Sequence, residues 1–167
     1  MGDKMKKHTC KHQKYLLKLF KTKPEKFFAR YENLHMTPDV ANLLYNHTME
    51  FISNCNGVGS PEGGKFKRFI WKITPDTIWG LDITPTADLH DNGYTVPLEF
   101  RDLQTALKHK VGEDILFKKN VKTQIARGTW LLRWVRNRRV WKYALALVKC
   151  GQDAFIENKI IGGLSNG

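Results

Sequence analysis

The sequence predicts a mainly α protein: N-terminal helices, a short β-hairpin, a pair of antiparallel helices and a basic C-terminal helix. Three observations carry that prediction. Thr37-Pro38-Asp39 combines an N-cap hydroxyl, a proline at the first helical position and an acid in the first turn. Val40, Leu43, Leu44, His47 and Phe51 then recur at helical spacing. Thr84-Pro85 repeats the start signal, and a third apolar series (Trp130, Leu131, Trp134, Trp141, Leu145, Val148) defines an amphipathic helix with Arg133, Arg136 and Arg139 outward.

In chain order, Met1 to Lys14 reads as a solvated basic tail, in which His8, Cys10, Lys11 and His12 are a minor candidate for metal binding. Thr22 and Pro24 open a helix through Phe27, Phe28, Tyr31 and Leu34. The run Asn54 to Gly64 holds four glycines and a proline, which excludes helix interior and regular strand. Phe66 to Ile73 and Thr77 to Ile83 form two extended arms around Thr74-Pro75-Asp76. A helix follows from Thr84 through Tyr94, weakened by Gly93 and ended by Pro97. Leu98 to Lys110 is mixed, and a separate helix covers Glu113 to Arg127. The tail from Asn158 frays. This gives one domain with an N-terminal helical region (1–53), a core (54–127) and a basic amphipathic helix (128–157).

The chain has 167 residues, with 41% hydrophobic and 26% charged, enough for a single core. No apolar run is long enough to span a membrane, and the basic start has no signal-peptide h-region, so a cytoplasmic or virion-associated protein is expected. Three cysteines (Cys10, Cys55, Cys150) make neither a disulfide framework nor a zinc finger, which fits a reducing compartment. A net charge of +12 points to a polyanionic partner, an anionic membrane surface or nucleic acid.

The chemistry centres on His90-Asp91-Asn92-Gly93-Tyr94. On a helix, His90 and Tyr94 share a face while Asp91 projects about 100° away. One of the two neighbours can act as a base and the other can hold a hard cation. A general-base imidazole needs a partner on its second nitrogen to fix the tautomer, and Asp114 at the start of the next helix can supply it. Phe117 would anchor that helix, and the Tyr94 hydroxyl could steady the same carboxylate.

The string H-D-x-G-Y, with D-x-x-F opening a second helix, resembles the phospholipase A2 superfamily. The short prokaryotic and fungal forms and the parvovirus capsid type are the most similar, and a phage-associated member also fits. The likeness covers about Asn54 to Gln124. It implies a phospholipase A2-like helix pair that hydrolyses the sn-2 ester of glycerophospholipids with calcium. In that assignment His90 is the base, Asp114 orients it and Tyr94 steadies Asp114. Asp91 and the carbonyls of Gly57 and Gly59 bind Ca2+. The chain departs from the superfamily in two respects. It lacks the disulfide that flanks the histidine helix in secreted members, and it has a basic aromatic insertion (KFKRFIWK) before His90. Asp76, Asp82 or Gly80 could instead contribute to the metal site.

An anionic phospholipid surface is the expected partner, with Trp71 and Trp79 suited to the headgroup layer. The alternative is an inactive scaffold that binds nucleic acid or an assembly partner through Lys4 to Lys23 and Arg133 to Arg139.

Overall fold

The computed structural model describes residues 10–55, 77–95, 103–143 and 155, and it is mainly helical. Helix α1 (Lys11–Thr22) starts inside the stretch expected to be a solvated tail. Its cap is a thiol: the Gln13 amide donates to Cys10 Sγ, and the Gln13 side chain accepts from the Cys10 amide at 2.9 Å. Cys10 and Gln13 also donate to the carbonyls of Cys55 and Ser53, which helix α4 leaves unpaired at its C-terminus.

Pro24 opens α2 (Pro24–Ala29), which stops well short of Leu34 because Tyr31–Asn33 turn away. The expected long helix after Thr37 is two helices, α3 (Pro38–Asn46) and α4 (Thr48–Asn54). His47 breaks them with a non-helical backbone (φ −129°, ψ 46°) and is exposed, off the apolar stripe. Thr37 is the N-cap residue by position, yet its hydroxyl makes no capping bond; Pro38 and Asp39 alone supply the start signal.

The expected first arm and the turn at 74–76 lie outside the described residues, and the expected second arm, Thr77 to Ile83, itself folds back on a turn. β1 (Thr77–Ile78) pairs antiparallel with β2 (Leu81–Asp82) through a two-residue loop, Trp79-Gly80. Both loop residues have positive φ, +50° and +74°, as right-handed strand twist demands of so short a connection. Glycine accepts that geometry freely; tryptophan does so only at a steric cost.

Helix α5 (Thr84–Thr95) begins where Thr84-Pro85 predicts, tied down by Asp82, which accepts from the Thr84 amide and hydroxyl. Residues 84–90 are all buried, so α5 is the hub of the fold. Leu89 joins an apolar cluster of Leu16, Phe27, Tyr31, Leu44 and Phe51. Ala87 joins a second cluster of Ile78, Ile83, Phe117, Val121, Ile125 and Val140.

The mixed segment and the next helix merge into one 25-residue helix, α6 (Leu103–Arg127), which runs through Gly112 without a break. Asp114 therefore sits in mid-helix rather than opening one. Thr86 meets Gln124, His90 meets Asp114 and the Gly93 carbonyl meets His109, so α5 and α6 run antiparallel.

Beyond Gly128, a 3-10 turn (Trp130–Leu132) leads into helical residues 133–143. Arg133 is exposed as expected, but the indoles and Arg136 depart from the expected amphipathic pattern. Trp130, Leu131, Trp134 and Trp141 are 71, 65, 65 and 68% exposed, whereas Arg136 is 5% exposed beside buried Val140 and Tyr143. The reason is a polar demand: Arg136 donates from Nε to the Ile78 carbonyl (3.3 Å) and from Nη2 to the Trp79 carbonyl (2.9 Å). Its guanidinium faces the hairpin, which turns the indoles outward. The expectations for residues 56–76 (including Gly57, Gly59, Trp71 and Asp76), Pro97, Leu145, Val148, Cys150 and the tail fall outside the described residues.

Arg136→Ala removes the side-chain donor from the Ile78 and Trp79 carbonyls and should destabilise the protein by about 2–3 kcal/mol. The measurement is the urea midpoint. Arg136→Lys should recover little of the loss, because an ammonium lacks the planar fork that reaches both carbonyls.

Candidate active site

The α5–α6 contact gathers three polar side chains on one carboxylate. The His90 ring Nε2 lies 3.0 Å from Asp114 Oδ1, and the Tyr94 hydroxyl donates to the same oxygen at 2.6 Å. Lys110, one turn before Asp114 on α6, donates to Oδ2 at 2.5 Å. The sequence reading placed His90, Tyr94 and Asp114 together, and the structure brings them into hydrogen-bond contact. It did not include Lys110, whose i,i+4 relation to Asp114 was the available signal.

Burial alone would raise the Asp114 pKa. Hydrogen bonds from His90, Lys110 and Tyr94 outweigh it and hold the carboxyl below the ordinary aspartate value. With Asp114 ionised, His90 donates from Nε2–H, a tautomer assigned from this partner, and the ring's lone pair resides on Nδ1. Burial, then the bond to Asp114, pushes the Tyr94 phenol far above its usual range, so Tyr94 remains a neutral donor. Phe117 packs edge-on to the imidazole at 5.3 Å, as expected of an anchor, and Phe155 closes over Tyr94 at 5.2 Å.

Gly93 and Glu113 form a second contact that the sequence did not disclose. A Cβ on residue 93 would lie 2.2 Å from Glu113 Oε2, so glycine is what lets the Glu113 carboxyl lie against α5. Burial, with the negative charge of Asp114 and then Asp39, pushes the Glu113 carboxyl up to about 7. Glu113 and His90 line one cavity of about 10 Å³, together with His35, Met36, Leu89 and Phe117. That is room for roughly a single water. Asn120 fixes the covering loop by clasping both backbone groups of His35: Oδ1 accepts from its amide at 2.6 Å, and Nδ2 donates to its carbonyl at 2.7 Å.

On the other side of α5, fully buried Asp88 holds a similar set of partners. His12 Nε2 lies 2.6 Å from Oδ1, and the Tyr31 hydroxyl donates to Oδ2 at 3.0 Å. Burial, with the Asp88 charge, raises the Tyr31 and Cys55 pKa values. His12 is therefore a structural clasp between α1 and α5 rather than part of a solvated tail. Only its distance in sequence from Asp88 hid the pair.

The expected metal site is only partly within view. Asp91 lies on α5 at intermediate exposure, a hard oxygen donor of the type calcium takes. Gly57 and Gly59 lie outside the described residues. Among the described residues no group of three His, Cys, Asp or Glu side chains could hold a metal ion. Asp82, the alternative donor, is engaged with Thr84 and with Arg30 at 3.3 Å.

Two expected outcomes follow from the Gly93–Glu113 contact. In the wild-type background, Gly93→Ala should destabilise by about 1–3 kcal/mol through overpacking, despite the ~1 kcal/mol helix-propensity gain. In a Glu113→Ala background the same change should become stabilising, read as a double-mutant cycle in urea. The raised Glu113 pKa gives a pH dependence of defined sign. Below about 4.5 the group is protonated in both states and costs nothing; as pH rises to about 7 the unfolded chain ionises first, so stability is lost. After discounting for solvent screening, the loss should be on the order of 1–2 kcal/mol. Glu113→Gln should flatten the stability profile across that window in thermal melts. Compared with known proteins, the chain matches no family model, no curated protein and no solved structure.

Proposed function

We propose that this protein is a phospholipase A2-like hydrolase that cleaves the sn-2 ester of glycerophospholipids with calcium. The observation that carries the reading is the His90–Asp114–Tyr94 cluster, at 3.0 and 2.6 Å, across two antiparallel helices. In this mechanism His90 Nδ1 takes a proton from the attacking water, while Nε2–H stays on Asp114, which stabilises the imidazolium that forms. Tyr94 and Lys110 keep the carboxylate from swinging away from the ring. Asp91 would hold calcium, with the carbonyls of Gly57 and Gly59 and water completing its shell. When bound, the ion supplies positive charge for the ester oxygen as negative charge develops there.

A second reading is favoured by how closed the cluster is. His90 is 7% exposed, its cavity admits one water rather than an acyl chain, and Lys110 already compensates Asp114. Turnover therefore requires the cavity beside His90 to open. A scaffold that keeps the cluster for stability, and binds nucleic acid or an assembly partner through its basic surface, has no such requirement.

Fatty-acid release from vesicles, with calcium or with chelator, separates the two. His90→Asn should abolish release with the fold retained, and Asp114→Asn should reduce it less, because orientation is degraded while the base remains. Calcium should raise the melting temperature of the wild type, and Asp91→Asn should remove that shift. No calcium-dependent release by the wild type on anionic or neutral lipid leaves only the scaffold.

A further inference from the structure

The surface between α6 and residues 133–143 is strongly basic. From residue 115 to 143 there are nine lysines and arginines and no aspartate or glutamate, so this stretch supplies +9 (nine cations minus no acids) of the net +12. An open groove of about 390 Å³ runs along it, lined by Lys118, Lys122, Ile125, Arg133, Asn137 and Trp141. Trp130 and Leu131 project from the 3-10 turn at its end, each about two-thirds exposed, as are Trp134 and Trp141. Four large apolar side chains facing water on so short a segment form an unsatisfied patch, and such patches mark interaction sites.

The indoles are paired with cations. The Lys118 ammonium lies 4.4 Å from the Trp141 ring centre, and the Arg138 guanidinium 4.3 Å from that of Trp134. Arg139 extends the pairing to Trp79, which occupies its hairpin turn at φ +50°. A bulky residue held in a disfavoured turn conformation, half exposed, is what a surface role rather than a folding role would select.

We propose that this face docks on an anionic phospholipid bilayer, with Trp130, Leu131, Trp134 and Trp141 entering the headgroup layer and the lysines and arginines lying on lipid phosphates. Charge complementarity requires a polyanion, and the side-chain chemistry chooses the lipid. Leu131 has no π face for a nucleobase to stack on. Trp134 and Trp141 already carry a cation on one face, which a stacking base would have to share or displace. A headgroup layer accepts indole and cation side by side. No described helix is long and apolar enough to cross a membrane, so the contact lies on the surface. It needs neither calcium nor His90 and therefore stands apart from the hydrolase reading.

The test is sedimentation of the full chain with phosphatidylcholine vesicles, with and without phosphatidylserine, in chelator so that hydrolysis plays no part. Wild type should bind the phosphatidylserine vesicles roughly tenfold or more tightly than the neutral ones, with salt weakening the binding. The double variants Trp130→Ser/Leu131→Ser and Lys118→Glu/Lys122→Glu should each lose roughly tenfold while remaining folded, since Trp130, Leu131 and Lys122 are exposed and Lys118 is only partly covered. His90→Asn should bind unchanged. Brominated lipid should quench the tryptophan emission of the wild type, a readout that holds even if a variant fails to fold. Indifference to phosphatidylserine, unaltered binding by both double variants, or absence of quenching overturns the proposal. Tighter binding to a single-stranded oligonucleotide than to vesicles, lost in the same variants, assigns the face to nucleic acid and also overturns it.

Discussion

A carboxylate largely withdrawn from water must be surrounded by donors or give up its charge, and Asp114 shows how much architecture that requirement organises. Its oxygens receive hydrogen bonds from His90 and Tyr94 on α5 and from Lys110 on α6. The two helices can meet these donors in only one register, and the apolar contacts of Phe117 and Val121 follow from it. The carboxylate thus specifies the alignment that the nonpolar core, being less directional, then stabilises.

The same device appears on the opposite flank of α5, where Asp88 ties in α1 through His12 and the α2 region through Tyr31. Helix α5, with Asp88 facing one flank and His90 and Tyr94 facing the other, is therefore clasped from both sides. The difference between the clusters lies in their surroundings. Asp88 is fully sealed, whereas the His90 side adjoins a water-sized cavity and the Glu113 carboxyl. Among the described residues, the cavity beside His90 has room for a water next to the imidazole.

Much of this was legible in the sequence wherever the signal was local. Thr84-Pro85 announced α5, and the i,i+4 spacing of His90 and Tyr94 placed them on one face. The match to Asp114 also held, although the helix it was expected to open begins at Leu103, because Gly112 is carried within a helix stabilised by tertiary packing. What failed was decided by distant partners. Arg136 looked like a solvent-facing residue until the hairpin carbonyls claimed it, and the indoles had to turn outward as a result. His12 looked like tail until Asp88 was seen opposite it. Gly93 looked like a helix weakness, when it is the space that Glu113 occupies.

The Cys10 cap of α1 has a consequence of another kind. The thiol accepts from the Gln13 amide and points its own hydrogen toward the Cys55 carbonyl, so the first turn of α1 depends on a group that oxidants and alkylating reagents can modify. Any such adduct would displace the Gln13 cap, and His12 lies between the two capping residues. Thiol chemistry at the start of the described chain would therefore be felt at Asp88, in the middle of the hub helix, without any reagent reaching it.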